Sequence, residues 1–316
     1  MSVIPASRAH EDSPAPGRRR ADAAPGRRRA GAAPRGRRAP AAPSRRRPRA
    51  TTYLLLVAIV AVSAFPLYWS LVASSNDDSA AAHWPPKLLP GSHLWANLQH
   101  AFTQADYGRA LLNSTIIATT VTFSVVLTST LAGFAFAKLR FRGNNGMLAF
   151  LVLTMMVPAQ LGIIPLYIMM TQWLGWTGHL HAVIVPAATS AFGVFLMRQY
   201  LSEALPNELL EAGRVDGCST TRLYWHVVLP AARPAAAVLA LFTFMGAWND
   251  FFWPLLALGQ ENPTVQVALS TLAGGYYMNY SLVLTGTLIS TVPILLVFAV
   301  LGRQIIGGIM QGAIKA

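Results

Sequence analysis

Residues 203–234, EALPNELLEAGRVDGCSTTRLYWHVVLPAARP, form a long polar segment between two strongly apolar ones. Leu205, Leu209, Leu210 and Ala212 recur at helical spacing, with Glu203, Glu208 and Glu211 on the other side. Ser202 stands where a helix cap belongs, with Leu205 and Pro206 near the helix start. Gly213 and Gly217 are four apart and leave a strip without side chains that a second backbone can approach. After Asp216-Gly217 a second amphipathic run carries Leu223, Tyr224, Val227 and Val228 as its apolar members. Leu229-Pro230 is expected to end it, because proline has no amide hydrogen to continue the ladder. The pattern reads as helix, glycine turn, helix, proline stop. On residues alone it is either a loop folded back on its own neighbours or a surface helix offered to a partner.

The flanks decide which fold holds this segment. The chain has 316 residues, 53% hydrophobic and only 12% charged, with a mean hydropathy of +0.42. A bilayer core asks for about 20 consecutive apolar residues in a helix. Six runs meet or approach that length: 54–73, 111–137, 147–170, 182–198, 235–258 and 281–302. Backbone groups in lipid must be satisfied within the segment, so helices are the expected form. The fold class is therefore an all-α integral membrane protein, with six transmembrane helices and the 203–234 segment between spans four and five. With the N-terminus inside, the inner loops and tail hold Lys138, Arg140, Arg142, Arg198, Arg214, Arg222, Arg233, Arg303 and Lys315, and the outer loops only Lys87 and Arg109. That bias follows the positive-inside rule, puts both termini in the cytoplasm and the 203–234 segment with them. The outer segment 74–110 contains Trp84-Pro85-Pro86 and an expected interfacial helix around Trp95 to Phe102, and Asn113-Ser114 is expected to cap span two. The segment after span five ends in the aromatic tip Gly274-Gly275-Tyr276-Tyr277.

The net charge of +13 is carried by one end. Residues 1–50 hold fourteen arginines against three acids, whereas the rest of the chain holds eleven basic and nine acidic groups. This arm of Arg, Pro, Ala and Gly has too little apolar surface to offset its chain entropy and is expected to be disordered and cytoplasmic. Its clusters suit either a topogenic charge block or attraction to anionic lipid; no nucleic-acid partner is expected. The chain has a single cysteine, Cys218, which excludes an intrachain disulfide.

Within the spans, ionisable and amide side chains point to function, because exposing them to lipid is costly. Trp248, Asn249 and Asp250, in Trp-Asn-Asp-Phe-Phe-Trp-Pro, are candidate pathway or gate positions, as is Gln160 beside Pro158; capping or bridging of neighbouring spans is the alternative. Pro158 and Pro165 are expected to break the third span. Ser124, Ser129, Ala132 and Gly133 on the second span suit close helix packing. His179 and His181 are read as interfacial anchors rather than a metal site, and no catalytic residue is assigned.

Glu211-Ala212-Gly213, Asp216-Gly217 and Tyr224 through Leu229-Pro230 resemble the EAA loop of the permease subunits of bacterial ABC importers. The family pattern is Glu-Ala-Ala, three residues, Gly, about nine residues, Ile, one residue, Leu-Pro. Val227 stands at the Ile position, and Gly213 replaces the second Ala. The Val157-Pro158 and Ile164-Pro165-Leu166-Tyr167 stretches, the Trp248 to Pro254 motif and the tail from Arg303 resemble more narrowly the six-span permease of maltose-type sugar importers. The likeness covers residues 51–316 as a transmembrane domain and leaves out the arm. It implies a bacterial cytoplasmic membrane location, a heterodimer with a second permease, two ATP-binding subunits, an extracytoplasmic solute-binding protein and a mono- or oligosaccharide substrate. It further implies that Glu211, Ala212, Gly213, Asp216, Gly217, Tyr224, Leu229 and Pro230 form the coupling segment that docks on the ATPase. ATP and Mg would be used by that partner: the sequence contains no Gly-x-x-x-x-Gly-Lys-Ser/Thr loop and is expected to bind no cofactor itself. A permease for a non-sugar solute and a stand-alone secondary transporter are the alternatives.

Overall fold

A long helix built from YGRALLNSTIIATTVTFSVVLTSTLAGFAFAK, Tyr107–Lys138, is the spine of the molecule. The computed structural model describes residues 50–78, 87–274 and 279–313, with side chains described as far as residue 302. The expected disordered arm, Trp84-Pro85-Pro86, most of the aromatic tip and the side chains of the tail from Arg303 lie outside the described residues. The chain divides into two units, residues 1–53 and 54–316, and of the first only the opening turn of a helix is described.

Thirteen α-helices, with one 3₁₀ turn and two π turns, make up the described residues, and no strand occurs among them. They are α1 Ala50–Ser74, α2 Leu94–Gln104, α3 Tyr107–Lys138, α4 Asn144–Met155, α5 Ile163–Ile168, α6 His181–Ala187 and α7 Ala191–Ala204. Then follow α8 Asn207–Val215, α9 Thr220–Leu223, α10 Leu229–Asn249, α11 Phe252–Leu258, α12 Val265–Ala273 and α13 Tyr280–Ala313. Five helical stretches are long and apolar enough to cross a membrane: 50–74, 107–138, 181–204, 220–249 and 280–302. A sixth is available if α4 and the 159–173 stretch count as one broken span.

That broken pair occupies the expected third span, 147–170, and the two pieces are bent by 88°. The bend follows from Pro158, which sits at ψ 125° outside the helical region, ahead of the 3₁₀ turn Ala159–Gly162. Proline offers no amide to the preceding turn, and its ring disfavours a helical residue before it. Pro165, also expected to break the span, lies in the first turn of α5 just after the 3₁₀ turn and does not interrupt the 159–173 stretch. The expected fifth span, 235–258, is divided as well: α10 ends at Asn249, Asp250 is extended, and α11 starts at Phe252.

Two clusters of buried side chains lie along α3. One joins Ile117, Val121, Val125 and Phe134 of α3 to Met197 and Leu201 of α7 and Leu239 of α10. The other joins Tyr107, Ala110 and Ala118 to Phe244 and Trp248 of α10 and to Val265, Ala268 and Leu272 of α12. The small residues of α3 make the first cluster possible. A Cβ on Gly133 would stand 2.7 Å from Met197 Cβ and 2.8 Å from the backbone nitrogen of Arg198, and Gly193 of α7 sits directly on Ser129. The backbones of α3 and α7 thus touch, as small residues at a helix crossing in lipid permit. Ser124 adds a hydroxyl donated to the Ala188 carbonyl at 2.8 Å.

Asn113 and Ser114 do not cap the second span, because α3 begins six residues earlier at Tyr107. Both are buried inside it and reach a different chain segment. Asn113 Nδ2 donates to the Pro263 carbonyl at 3.0 Å, and the Val265 amide donates to Ser114 Oγ at 2.9 Å. Ser114 thereby satisfies a free amide at the start of α12, a cap supplied from across the bundle. The expected helix at Trp95 to Phe102 is α2. Its first turn is latched to the end of α1 by Asn97 Nδ2, which donates to the Ser74 and Asn76 carbonyls, both at 2.9 Å.

The α3–α7 crossing yields a direct test. Gly133→Ala places a methyl against backbone and should destabilise the full-length chain in detergent by about 1–3 kcal/mol. Gly246→Ala, on a helical glycine with open space around it, should shift stability by less than about 1 kcal/mol. Thermal unfolding of the two variants beside the parent chain reads the difference.

Candidate coupling surface and pathway groove

α8 is amphipathic with one deep anchor, Leu210, which is 3% exposed, and Leu205 just ahead of the helix is 1% exposed. Leu209, expected on the buried side, is 49% exposed instead. The reason is the start of the helix. Ser202 lies within α7 and donates its hydroxyl to the Gln199 carbonyl, so it caps nothing, and α8 begins only after Pro206. Lys138 at the end of α3 ties the junction, with Nζ donating to the Ser202 carbonyl at 3.2 Å and Asn207 Oδ1 at 3.3 Å.

Glu211, Ala212 and Asp216 are exposed on α8 and its end. Gly213 is turned inward: a Cβ there would meet Leu223 Cδ2 at 2.5 Å, and Leu223 itself is buried. The departure from Glu-Ala-Ala therefore has a packing cause, since the missing methyl makes room for a leucine of the next helix. Gly217 is a turn glycine, with φ 78° and open space around it. Its amide donates to the Arg214 carbonyl at 3.0 Å, and the Cys218 amide to the Gly213 carbonyl at 2.9 Å, the paired bonds that close a helix on a left-handed residue. Ser219 then caps α9 by accepting from the Arg222 amide. The expected strip of bare backbone is thus split between two jobs, packing at Gly213 and turning at Gly217.

Tyr224 is 2% exposed, and its hydroxyl lies 2.7 Å from Thr130 Oγ1 of α3, with its ring tilted against Phe134. Leu229 is half-buried and Pro230 is exposed. Leu229-Pro230 does not stop the helix. A π turn over Tyr224–Val228 carries α9 into α10, and the Leu229 amide reaches back to the Tyr224 carbonyl. Pro230 follows closely on this π turn, and a local change of helical pitch is one way a helix accommodates a residue without an amide hydrogen. Residues 220–249 thereby run as one helical stretch. Around the turn, Val215 and Trp225 are 88% and 51% exposed. Spacing did not single them out as surface residues, although apolar side chains in so polar a segment are a signal of contact.

The pathway candidates separate into two groups. Gln160 and Asp250 line one groove of about 1020 Å³ together with Ile164, Pro186, Phe252 and Trp253. Backbone amides of Phe252 and Trp253 interact with the Asp250 carboxylate, as at the start of a helix. Trp253 is fixed by its indole N–H, which donates to the Ala182 carbonyl at 3.1 Å. Trp248 lies elsewhere. It is 1% exposed, donates to the Ser290 carbonyl of α13 at 3.1 Å and stacks on Phe244 with centroids 5.5 Å apart. Asn249 accepts from Gln266 Nε2 at 3.3 Å and donates to the Met245 carbonyl. The rings of His179 and His181 are 5.2 Å apart, and no cluster of three or more His, Cys, Asp or Glu suited to a metal occurs among the described residues.

The profile of the family described as "Binding-protein-dependent transport system inner membrane component" matches residues 126–305. The lactose transport system permease protein LacG of Rhizobium radiobacter is 33% identical over 269 residues, covering 85% of this chain and 97% of its own. The sn-glycerol-3-phosphate transport system permease protein UgpE of Pectobacterium atrosepticum is 33% identical, over 82% of this chain and 94% of its own. The arabinooligosaccharides transport system permease protein AraQ of Halalkalibacterium halodurans is 31% identical over 263 residues, 82% of this chain and 93% of its own. Among solved structures, a chain of a bacterial ABC transporter involved in import of the acidic polysaccharide alginate superposes with a TM-score of 0.68 at 22% identity, covering 80% of this chain and 94% of that one.

The turn at Gly217 is open to test. Gly217→Ala forces a side chain into the left-handed region at a cost of roughly 1–2 kcal/mol. Hydrogen exchange should quicken at the amides of Asp216, Gly217 and Cys218 while those of α3 stay protected.

Proposed function

The chain belongs to the binding-protein-dependent transport system inner membrane components, and from that premise we propose a permease that couples ATP hydrolysis elsewhere to sugar import through its own spans. It is a multi-pass subunit of an ABC importer in the bacterial inner membrane, a transport component and not an enzyme. In the proposed assembly it crosses the membrane six times with both termini in the cytoplasm. It pairs with a second permease, two ATP-binding subunits and an extracytoplasmic solute-binding protein. The substrate is a mono- or oligosaccharide, a reading supported by lactose and arabinooligosaccharide permeases among its relatives. The sn-glycerol-3-phosphate relatives favour a second reading, a small phosphorylated polyol.

The observation that carries the coupling role is the construction of residues 203–230. Its exposed face presents Glu211, Ala212, Asp216, Val215 and Trp225, while Leu210, Leu223 and Tyr224 lock the same piece into the core. A surface helix held so firmly moves with the spans beneath it. From Thr220 one helical stretch of 30 residues, about 45 Å at 1.5 Å per residue, leads to Asn249 beside the groove at Asp250. In the proposed mechanism, closure of the ATP-binding subunits displaces α8 and α9, and the 220–249 helix carries that displacement to the groove of Gln160, Asp250 and Trp253. The groove then alternates between the two sides of the membrane.

Replacing Glu211 by Ala together with Gly217 by Ala in the assembled importer should lower ATP-driven uptake roughly tenfold if one coupling contact of about 1.4 kcal/mol is lost. Uptake into proteoliposomes and ATP turnover are measured side by side. Unchanged uptake by a correctly inserted double variant would remove the coupling role from this segment. Uptake that persists without ATP would instead favour a secondary transporter.

A further inference from the structure

Two cavities adjoin at the charged end of α3. The first, of about 910 Å³, is lined by Lys138, Arg140, Arg198 and Arg214, with Glu211 as its only acid. Lys138 is occupied by its bonds to Ser202 and Asn207. The guanidinium groups of Arg140, Arg198 and Arg214 form no ion pair among the described residues, and Arg198 Nε is a buried donor without a hydrogen-bond partner. Asn144, also on the wall, spends its amide on the Phe136 and Leu139 carbonyls at the end of α3. The cavity is thus a basic crevice whose donors are mostly unspent.

The second cavity, of about 580 Å³, is an apolar groove between α3, α4 and α7, lined by Ala132, Met147, Phe150, Leu151 and Val194. Phe136 belongs to both walls, and its ring packs on Phe141 with centroids 5.8 Å apart. The groove lies on the apolar parts of α3 and of the 181–204 stretch that contains α7, both of which are long and apolar enough to span a membrane. A basic mouth leading onto an apolar groove between membrane helices suits an amphiphile with an anionic head.

We propose that this pair of cavities binds an anionic phospholipid. Its phosphate takes the crevice of Arg140, Arg198 and Arg214, and one acyl chain lies along the groove of Ala132, Phe136, Met147 and Phe150. The charge argument selects the headgroup: three unpaired guanidiniums around one carboxylate reject a zwitterionic headgroup's ammonium and accept a phosphate through forked donors. Basic pockets between membrane helices are suited to such lipids. The groove selects a lipid over a free anion, since phosphate alone leaves it uncovered. The site borders the proposed coupling segment, since Glu211 and Arg214 of α8 line its crevice, but it depends on the guanidinium groups and the groove rather than on the exposed apolar side chains of Val215 and Trp225.

The test uses the full-length chain in mild detergent, titrated with dioleoyl phosphatidylglycerol, dioleoyl phosphatidylcholine or sn-glycerol 3-phosphate, with bound lipid counted by native mass spectrometry. One phosphatidylglycerol should be retained in preference to phosphatidylcholine. Arg140→Gln should weaken retention about fivefold, and Arg140→Gln with Arg214→Gln about 25-fold, each arginine near a lipid phosphate supplying roughly that factor. Ala132→Trp, which fills the groove and leaves every charge in place, should also reduce retention; monodisperse elution and an unchanged helical circular dichroism spectrum exclude misfolding. Equal retention of the two lipids, or full retention by the arginine variants, overturns the proposal. So does equal binding of sn-glycerol 3-phosphate, which would reduce the site to a simple anion crevice. Loss of the bound lipid when the ATP-binding subunits assemble would give the crevice to a protein partner and overturn it as well.

Discussion

Helices in lipid gain nothing by hiding leucines from one another, because the tails around them are equally apolar. What holds this molecule together is close approach at the face of α3. Gly133 admits the backbone of α7, Ser129 receives Gly193, and Ile117, Val121 and Val125 fill the space on either side. Hydroxyl groups close the remaining gaps: Thr130 to Tyr224, Ser124 to Ala188, Tyr107 to Ser290. Each contact is specific in register, so one bulky residue at the crossing would displace α7, and α8 with it. The polar segment owes its position to the same spine, through Tyr224 from one end and Lys138 from the other.

The breaks in the helices obey the opposite constraint. Backbone that leaves the helical ladder within a bilayer must be covered by protein or line a polar space. Of the breaks that divide expected spans, those at Pro158 and at Asp250 both lead to one groove, where Gln160 and Asp250 stand on the same wall. Proline and aspartate thus act together although they are distant in sequence. One frees backbone groups, and the other begins a new helix with its carboxylate beside the Phe252 and Trp253 amides. An uninterrupted helix at either place would bring only side chains to this groove.

Most of the helical content was legible from hydropathy, because a run of about 20 apolar residues has few other folds in a membrane. The amphipathic segment after α7 was legible from period and from glycine placement. Three things were not. Leu209 has the spacing of a buried residue, yet the start of α8 after Pro206 rotates it outward. Pro230 has the look of a stop, yet a π turn ahead of it lets the helix pass, and no local signal in Tyr-Trp-His-Val-Val announces an extra residue in a turn. Asn113 and Ser114 have the look of a cap; Ser114 is one, but for a helix some 150 positions later, and Asn113 donates to the Pro263 carbonyl just ahead of that helix. Local rules name the chemistry of such residues correctly and cannot name the partner, which only tertiary packing supplies.

Gly213 brings these threads together. By family pattern it is a departure, and by helix propensity a cost of up to about 1 kcal/mol against alanine. In the fold it is the seat of Leu223, whose neighbour Tyr224 reaches α3. Leu223 also begins the stretch that the π turn joins to α10. An alanine at 213 would strengthen α8 taken alone and push Leu223 away from it. The glycine weakens the isolated helix and tightens its grip on the next one. In the coupling role proposed above, the second property is the one that matters, since a stiff α8 loosely seated would slide over the helices beneath it.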